Sequence, residues 1–285
     1  MAVSIASFRR RHVAHRFARN RRALLGALAL ALLTAMALTA PAVAPYAPDI
    51  ANFEHRLVPP GAAHAFGTDH LGRDVLSRTI WASRTSLTIG FFAAAIAVVL
   101  GVLVGAVSGY LGGWPDAALM RITDMVLAFP VFFVAVMFLA LFGPTIAGLV
   151  TVISATSWPP TARLVRAEFL RLRTLDFVTA ARSLGAPETR VMARHILPNI
   201  VAVIVISVTL RVGVSILAEA SLSYLGLGVQ PPTASWGNLV ADGRDYLRSA
   251  WWVSVFPGSL VFLSVMAFNL LGDGLRDAFD PRMRV

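Results

Sequence analysis

The chain holds runs without a single charged residue that are long enough to cross a bilayer, and no other feature limits its fold as strongly. Ala23 to Ala40, Thr85 to Pro115 and Ser249 to Gly272 contain no Asp, Glu, Lys or Arg. A hydrocarbon core of about 30 Å needs about 20 apolar residues in a helix. Composition agrees: 57% of the residues are hydrophobic and 14% charged, against about 45–50% and about 25% in soluble domains.

Three further spans are expected. Ala117 to Phe142 carries only Arg121 and Asp124, both near its start, and Gly143-Pro144 breaks the helix after it. Thr145 to Pro160 reads as a short span stopped by Pro159-Pro160. Asn199 to Tyr224 reads as another, containing Arg211 and Glu219. The sequence therefore predicts an all-α polytopic membrane protein with six transmembrane helices. Its expected divisions are a basic tail (1–22), a first span (23–40), an outer loop (41–84), a five-helix core (85–272) and a tail (273–285).

The first span could be a secretory signal, since Ala42-Val43-Ala44 resembles a cleavage site. The length of the apolar run, the length of the basic region and Pro45 after the cut favour an uncleaved anchor. Arginine placement sets the orientation. With the N-terminus inside, the inner segments hold 7 + 1 + 7 + 3 = 18 Arg and the outer ones 4 + 2 = 6, with Arg211 inside a span. Basic residues accumulate on the cytoplasmic side, so both termini are expected there.

The missing residue types exclude chemistries. There is no Cys, and all 25 Lys+Arg residues are Arg. No thiolate nucleophile, P-loop lysine or Schiff-base lysine is available. If the protein works with ATP, another chain has to bind it. The net charge of +10 arises from arginines at span ends, which favours a lipid bilayer over nucleic acid as the partner.

Small residues recur at every fourth position of the second span: Ala93, Ala97, Gly101, Gly105 and Gly109. They form one stripe on a helix and let a second backbone approach closely. Packing within the bundle is the expected use, and contact with a partner subunit is the alternative.

The inner loop 161–198 is longer than the rest and holds seven Arg against Glu168, Asp176 and Glu188. It reads as two helices, the first ended by Gly185 and the second begun at Pro187. Such a pair suits docking to a soluble protein, with binding to anionic headgroups as the alternative.

The string Asp176-Phe-Val-Thr-Ala-Ala-Arg-Ser-Leu-Gly185, followed by His195-Ile-Leu-Pro-Asn199, resembles the EAA loop of ABC importer permeases. Thr179, Ala180, Ala181, Gly185, Leu197 and Pro198 fall at the motif's spacing. Thr179 stands where the motif has Glu, and His195 where it has Ile. Phe66-Gly-Thr-Asp69, Leu71-Gly-Arg-Asp74, Gly109-Tyr-Leu-Gly-Gly113, Leu217 to Gly228, Ser235-Trp-Gly-Asn238, Leu271 to Asp277 and Asp280-Pro-Arg282 extend the likeness from about Phe66 onward. In this the chain is similar to the dipeptide/oligopeptide/nickel permeases, and its one-span N-terminal extension is similar to their "C" type.

The resemblance implies a type I ABC importer permease fold and one half of a permease pair. Two ATPase subunits would dock on the inner side, and an extracytoplasmic binding protein would deliver peptides or similar small solutes. ATP and Mg would be used by the partner chains, with no cofactor on this one. Thr179, Ala180, Ala181, Gly185, Pro187, Glu188, Arg190, Leu197 and Pro198 are the implied ATPase-coupling residues. The Thr at 179 cannot form the ion pair that a Glu could.

Arg211 lies 12 residues after Asn199, about 18 Å along a helix and near mid-membrane. A charge there faces either a partner group or an aqueous path. Glu219, about 12 Å further out, is a candidate gate or binding-protein contact, against a local hydrogen-bonded cap. Both are candidates for the translocation path. Arg121 and Asp124 are expected to pair at the inner interface. His64, His70, Asp69 and Asp74 could suggest a metal, but Asp69 as a helix N-cap and solvated charge are the favoured reading. Trp251 and Trp252 read as interfacial anchors. The competing function class is a polytopic membrane enzyme acting at the lipid interface. It would need polar residues converging at one interface, and no nucleophile–base set stands out.

Overall fold

The computed structural model describes residues 16–279, which are helical apart from turns, loops and one isolated bridge between Thr68 and Asp74. The Arg9–Arg11 part of the basic tail and the Asp280–Arg282 motif lie outside these residues. The long helices are α1 (Arg21–Leu38), α2 (Val75–Leu111), α3 (Gly113–Ala128), α4 (Val131–Phe142), α5 (Ile146–Ser157) and α6 (Pro159–Leu172). After them come α7 (Asp176–Ser183), α8 (Glu188–Arg190), α9 (Val201–Tyr224), α10 (Trp236–Asp242) and α11 (Trp252–Phe279).

Four helices, α1, α2, α9 and α11, are long and apolar enough to cross a membrane, and α3 with α4 makes a fifth if the bent pair is one span. Among the described residues, then, four or five spans are found by length and apolarity. The expected span Ala117 to Phe142 is broken by 81° between α3 and α4. Phe129 and Pro130 at the break are extended; Phe129 precedes a proline, which drives it out of the helical region. α5 has only 12 residues, about 18 Å.

Pro159-Pro160 does not stop the chain. Both prolines occupy the first turn of α6, where a missing N–H costs nothing, and Trp158 before them is itself helical. The inner loop 161–198 accordingly contains three helical pieces, the first being most of α6. The outer loop drawn at 41–84 also ends early, since α2 begins at Val75, capped by Asp74, whose carboxylate accepts from the Ser77 N–H. At 37 residues, α2 is about 55 Å long and extends well past the hydrocarbon layer.

The small-residue stripe of α2 is filled from within the chain. Cβ atoms built at Gly101, Gly105 and Gly109 would lie 2.6 Å from Thr161 Cβ, 2.3 Å from the Ala162 carbonyl and 2.6 Å from the Arg166 carbonyl. Ala97 packs with Trp158 and Ala162, and Ala93 with Leu139, Leu149, Val152 and Ile153. α6 therefore lies backbone to backbone along α2. α1 lies on α11 in a similar way, with Gly26 against Ala267 and Leu270 and Gly274 against Ala23.

The bundle has two poles. Asn20, Asp277, Gly109, Asp116 and 166–199 gather at one, which is rich in arginine. The segment 41–74 and 225–251 gather at the other. At that second pole Asp69 accepts from Arg73 Nε and Arg78 Nη1, both at 2.7 Å, and Arg78 also reaches Asp242 at 3.3 Å. Burial raises the Asp69 pKa, but Arg78, Arg73 and the Arg73 and Leu71 N–H donors outweigh it, so the carboxyl is held below its ordinary value. Asp69 is thus an ion-pair centre, and Asp74 caps the helix.

Candidate coupling site

α7 is amphipathic, and its Val178 and Ala181 are buried. Val178 joins Ala106, Tyr110, Val165, Phe169, Leu172, Val191, Ile196 and Ile200 in one apolar cluster. This cluster seats α7 and α8 on the arginine-rich ends of α2 and α6. Polar contacts pin the same junction. Arg166 donates from Nε and Nη2 to the two Asp116 oxygens, each at 2.6 Å, and Asp116 also accepts from Ser108. Arg173 Nη1 donates to the Gly109 and Tyr110 carbonyls at 3.2 and 3.1 Å, covering acceptors at the end of α2. Arg182 stacks 5.0 Å above the Tyr110 ring and lies 3.6 Å from Glu188 across the turn.

The turn between α7 and α8 is a Schellman motif. The Ala186 N–H bonds the Ala181 carbonyl at 3.2 Å and the Gly185 N–H bonds the Arg182 carbonyl at 2.9 Å. Gly185 has φ +78°, a region that penalises a side chain. A Cβ there would meet nothing within 4 Å, so the demand for glycine comes from the backbone alone. Leu184 beside it is 88% exposed. Thr179, Ala180, Pro187, Glu188 and Arg190 are exposed with it, and the Thr179 hydroxyl donates back to the Leu175 carbonyl at 3.4 Å.

Beyond α8 the helix widens into a π turn at Val191–Ile196 and tightens at Leu197–Asn199. Pro198 has no N–H to offer and would crowd the carbonyl four residues back, and the wider turn relieves that clash. Leu197 is partly buried and Pro198 exposed. The expected coupling residues are therefore neighbours in one unit: an apolar face holding it to the bundle and an opposite face left open.

The sequence of this chain matches two family models. Residues 97–285 match the binding-protein-dependent transport system inner membrane component, and residues 8–60 match the N-terminal TM domain of oligopeptide transport permease C. The chain belongs to the binding-protein-dependent inner membrane transport family. It is similar to the glutathione transport system permease protein GsiD of Escherichia coli, with 43% identity over 94% of this chain and 89% of that one. The di/tripeptide transport system permease protein DppC of Pseudomonas aeruginosa is 42% identical, over 94% and 90%. The dipeptide transport system permease protein DppC of Bacillus subtilis is 38% identical, over 94% and 84%. The chain is a permease subunit of an ABC importer and a multi-pass membrane protein.

In this permease the two pathway candidates separate. Glu219 faces no open space. It is fully buried, accepting from Ser223 Oγ at 2.7 Å and Ser86 Oγ at 3.2 Å, and Ser86 Oγ accepts the Trp236 N–H at 3.1 Å. It ties α2, α9 and α10 together. Arg211 sits midway along α9, half-buried.

Other expectations are corrected here. Asp124 pairs with Arg163 of α6 at 2.5 Å, not with Arg121, because α6 brings a guanidinium across to it. Trp252 is buried, its Nε1 donating to the Thr68 carbonyl at 3.1 Å, while Trp251 stays half-exposed. The histidines are engaged separately, His64 with Asp74 at 2.9 Å and His70 stacked on Tyr246.

Sequence reasoning missed Leu184, Arg166–Asp116 and the Asp69–Arg78–Asp242 network. The Gly185 stop could have pointed to Leu184, since an apolar residue beside a forced exposed turn is otherwise wasteful. The other two link residues 50 and 164 positions apart and leave no local signal.

Proposed function

We propose that the unit from Asp176 to Asn199 couples ATP hydrolysis on partner subunits to rearrangement of this permease. The observation that carries the reading is Leu184, exposed at a rigid Schellman turn whose other face is bolted to α2 and α6. An apolar knob on a fixed turn suits a cleft in a soluble partner. A headgroup anchor would instead gather its cations on one face, and here Arg182 is turned onto Tyr110 and toward Glu188. Thr179, Ala180, Ala181, Gly185, Pro187, Glu188, Arg190, Leu197 and Pro198 belong to this unit. Two ATP-binding subunits, which use the ATP and Mg, would each take such a knob, one from this chain and one from a second homologous permease.

The arginine-rich pole then lies in the cytoplasm with both termini, in a prokaryotic cytoplasmic membrane. The pole built from 41–74 and 225–251 faces an extracytoplasmic binding protein. Six crossings result if α3 with α4 counts as one and α5 with α6 as another. The relatives' names support peptides or similar small solutes as cargo.

The test is the assembled importer. Leu184→Asp and Gly185→Val should leave insertion unchanged while lowering ATPase co-purification and substrate-stimulated ATP turnover at least tenfold. Wild-type levels of both would remove the coupling assignment. Loss of membrane association alone, on replacing Arg190 and Arg194 by Gln, would favour the lipid anchor.

A further inference from the structure

Two polar side chains on α9 lack partners that their surroundings would normally demand. Arg211 lies ten residues from the start of α9 and thirteen from its end, about 15 and 20 Å. It makes no hydrogen bond, ion pair or ring contact among the described residues. The other buried charged groups of the described bundle, His64, Asp69, Arg73, Asp74, Arg78 and Glu219, are all paired. The second group is Ser215. It is 1% exposed, and its hydroxyl has no hydrogen-bond partner.

That orphan hydroxyl is informative because its neighbours behave differently. Ser207, Thr209 and Ser221 on the same helix donate to the carbonyls of Val203, Ile206 and Leu217. This is the ordinary way for a hydroxyl to satisfy itself in lipid. Ser215 does not turn back. It sits four residues after Arg211, one turn along the same side of α9. A buried polar atom left unpaired in a native protein calls for an explanation, and a bound group is one.

The remaining faces of α9 are taken. Ile216 packs against Gly90 of α2, and Gly213 against Phe268 and Val265 of α11. The arc headed by Val214 and Leu217, 51% and 52% exposed, is open, and Arg211 borders it. A guanidinium and a hydroxyl donor on one helix turn, both unsatisfied, match a carboxylate, which accepts a bidentate Arg and one more donor.

We infer that Arg211 and Ser215 bind the free carboxylate of a peptide at mid-membrane during translocation. This rests on the peptide reading above. An ionised carboxylate crossing the hydrocarbon depth without a counter-charge faces a desolvation penalty of several kcal/mol. One guanidinium with one hydroxyl offsets it without forming a site so complete that the anion stays.

The test uses the importer purified with its partner permease, ATPases and binding protein and reconstituted in liposomes. The cargo is radiolabelled L-alanyl-L-alanine or its C-terminal amide, each supplied at concentrations that saturate the binding protein. Arg211→Gln should slow transport of the acid about tenfold, the equivalent of about 1.4 kcal/mol, and leave the amide within about twofold. Arg211→Lys keeps the charge and should retain most acid transport. Equal loss for acid and amide, or no loss for either, overturns the assignment and leaves the peptide reading standing. Failure of Arg211→Gln to assemble with the partner permease identifies a buried pair between subunits and also overturns it. A wild-type importer that moves neither compound overturns the peptide reading, and this assignment with it.

Discussion

Asp69 anchors the segment before α2 by accepting from two arginines and two backbone N–H groups, while being only 1% exposed. Asp69→Asn removes the charge and leaves Arg73 and Arg78 buried with Asp242 alone. Breaking one side of a buried pair costs about 3–5 kcal/mol, and thermal melting of the purified permease should show it. The same carboxyl fixes a pH dependence. Its folded pKa is depressed, so its stabilisation is complete above the ordinary value of 3.8 and is lost as pH falls through the lower folded value. Lowering the pH from 7 to 3 should destabilise the wild type more than Asp69→Asn. Equal sensitivity would show that another group governs the acid limb. Glu219 makes a related case at residue scale. Glu219→Gln keeps an acceptor for Ser86 and Ser223 and should fold and transport, whereas Glu219→Ala strands two hydroxyls at about 1–3 kcal/mol each. A Glu219→Gln variant as unstable as Glu219→Ala would mean that the charge itself is required.

Among the elements, the α2–α6 pair and the α7–α8 turn use glycine for opposite reasons, and substitution separates them. At Gly105 a methyl would sit 2.3 Å from the Ala162 carbonyl, so Gly105→Ala must push two backbones apart, an overpacking cost of about 1–3 kcal/mol. At Gly185 there is room for any side chain, and only the φ of +78° resists, at about 1–2 kcal/mol. Gly105→Ala should therefore lower the melting temperature while leaving ATPase docking in surviving complexes intact. Gly185→Ala should lower docking more than melting. The stripe was legible because its period of four is a local pattern. Pro159-Pro160 was misread for an equally local reason. Two prolines signal a stop and a first turn alike, and only the helical Trp158 before them decides between the two.

For the whole molecule, the proposed orientation rests on the arginine count, and a chain without native Cys allows it to be checked by labelling. Single Cys residues at 184 and 190 should react with an impermeant maleimide only after the cells are opened, and one at 54 should react from outside. The reverse pattern would invert the molecule. Membrane character, the helical class, four of the spans and the turn at Gly185 could all be read from the chain, since hydropathy runs, Gly185 and Pro187 act locally. The broken third span could not, because Pro130 lies inside an uninterrupted apolar run that gives no hint of an 81° bend. Glu219 lies on α9 as the sequence indicates, yet the Ser86 that donates to it is 133 positions away and in turn accepts the Trp236 N–H, a grouping that only tertiary packing makes.

The backbone-to-backbone seam between α2 and α6 has a mechanical consequence. A joint filled by long side chains is compliant, since each torsion can hop between wells and absorb displacement. Gly101, Gly105 and Gly109 have no torsions to hop, and they meet carbonyls and Cβ atoms of α6 directly. A push delivered at Leu184 enters a strut whose two members cannot slip past one another by rotamer exchange. The stroke of a partner subunit would arrive at Trp158, halfway up the bundle, with little lost on the way.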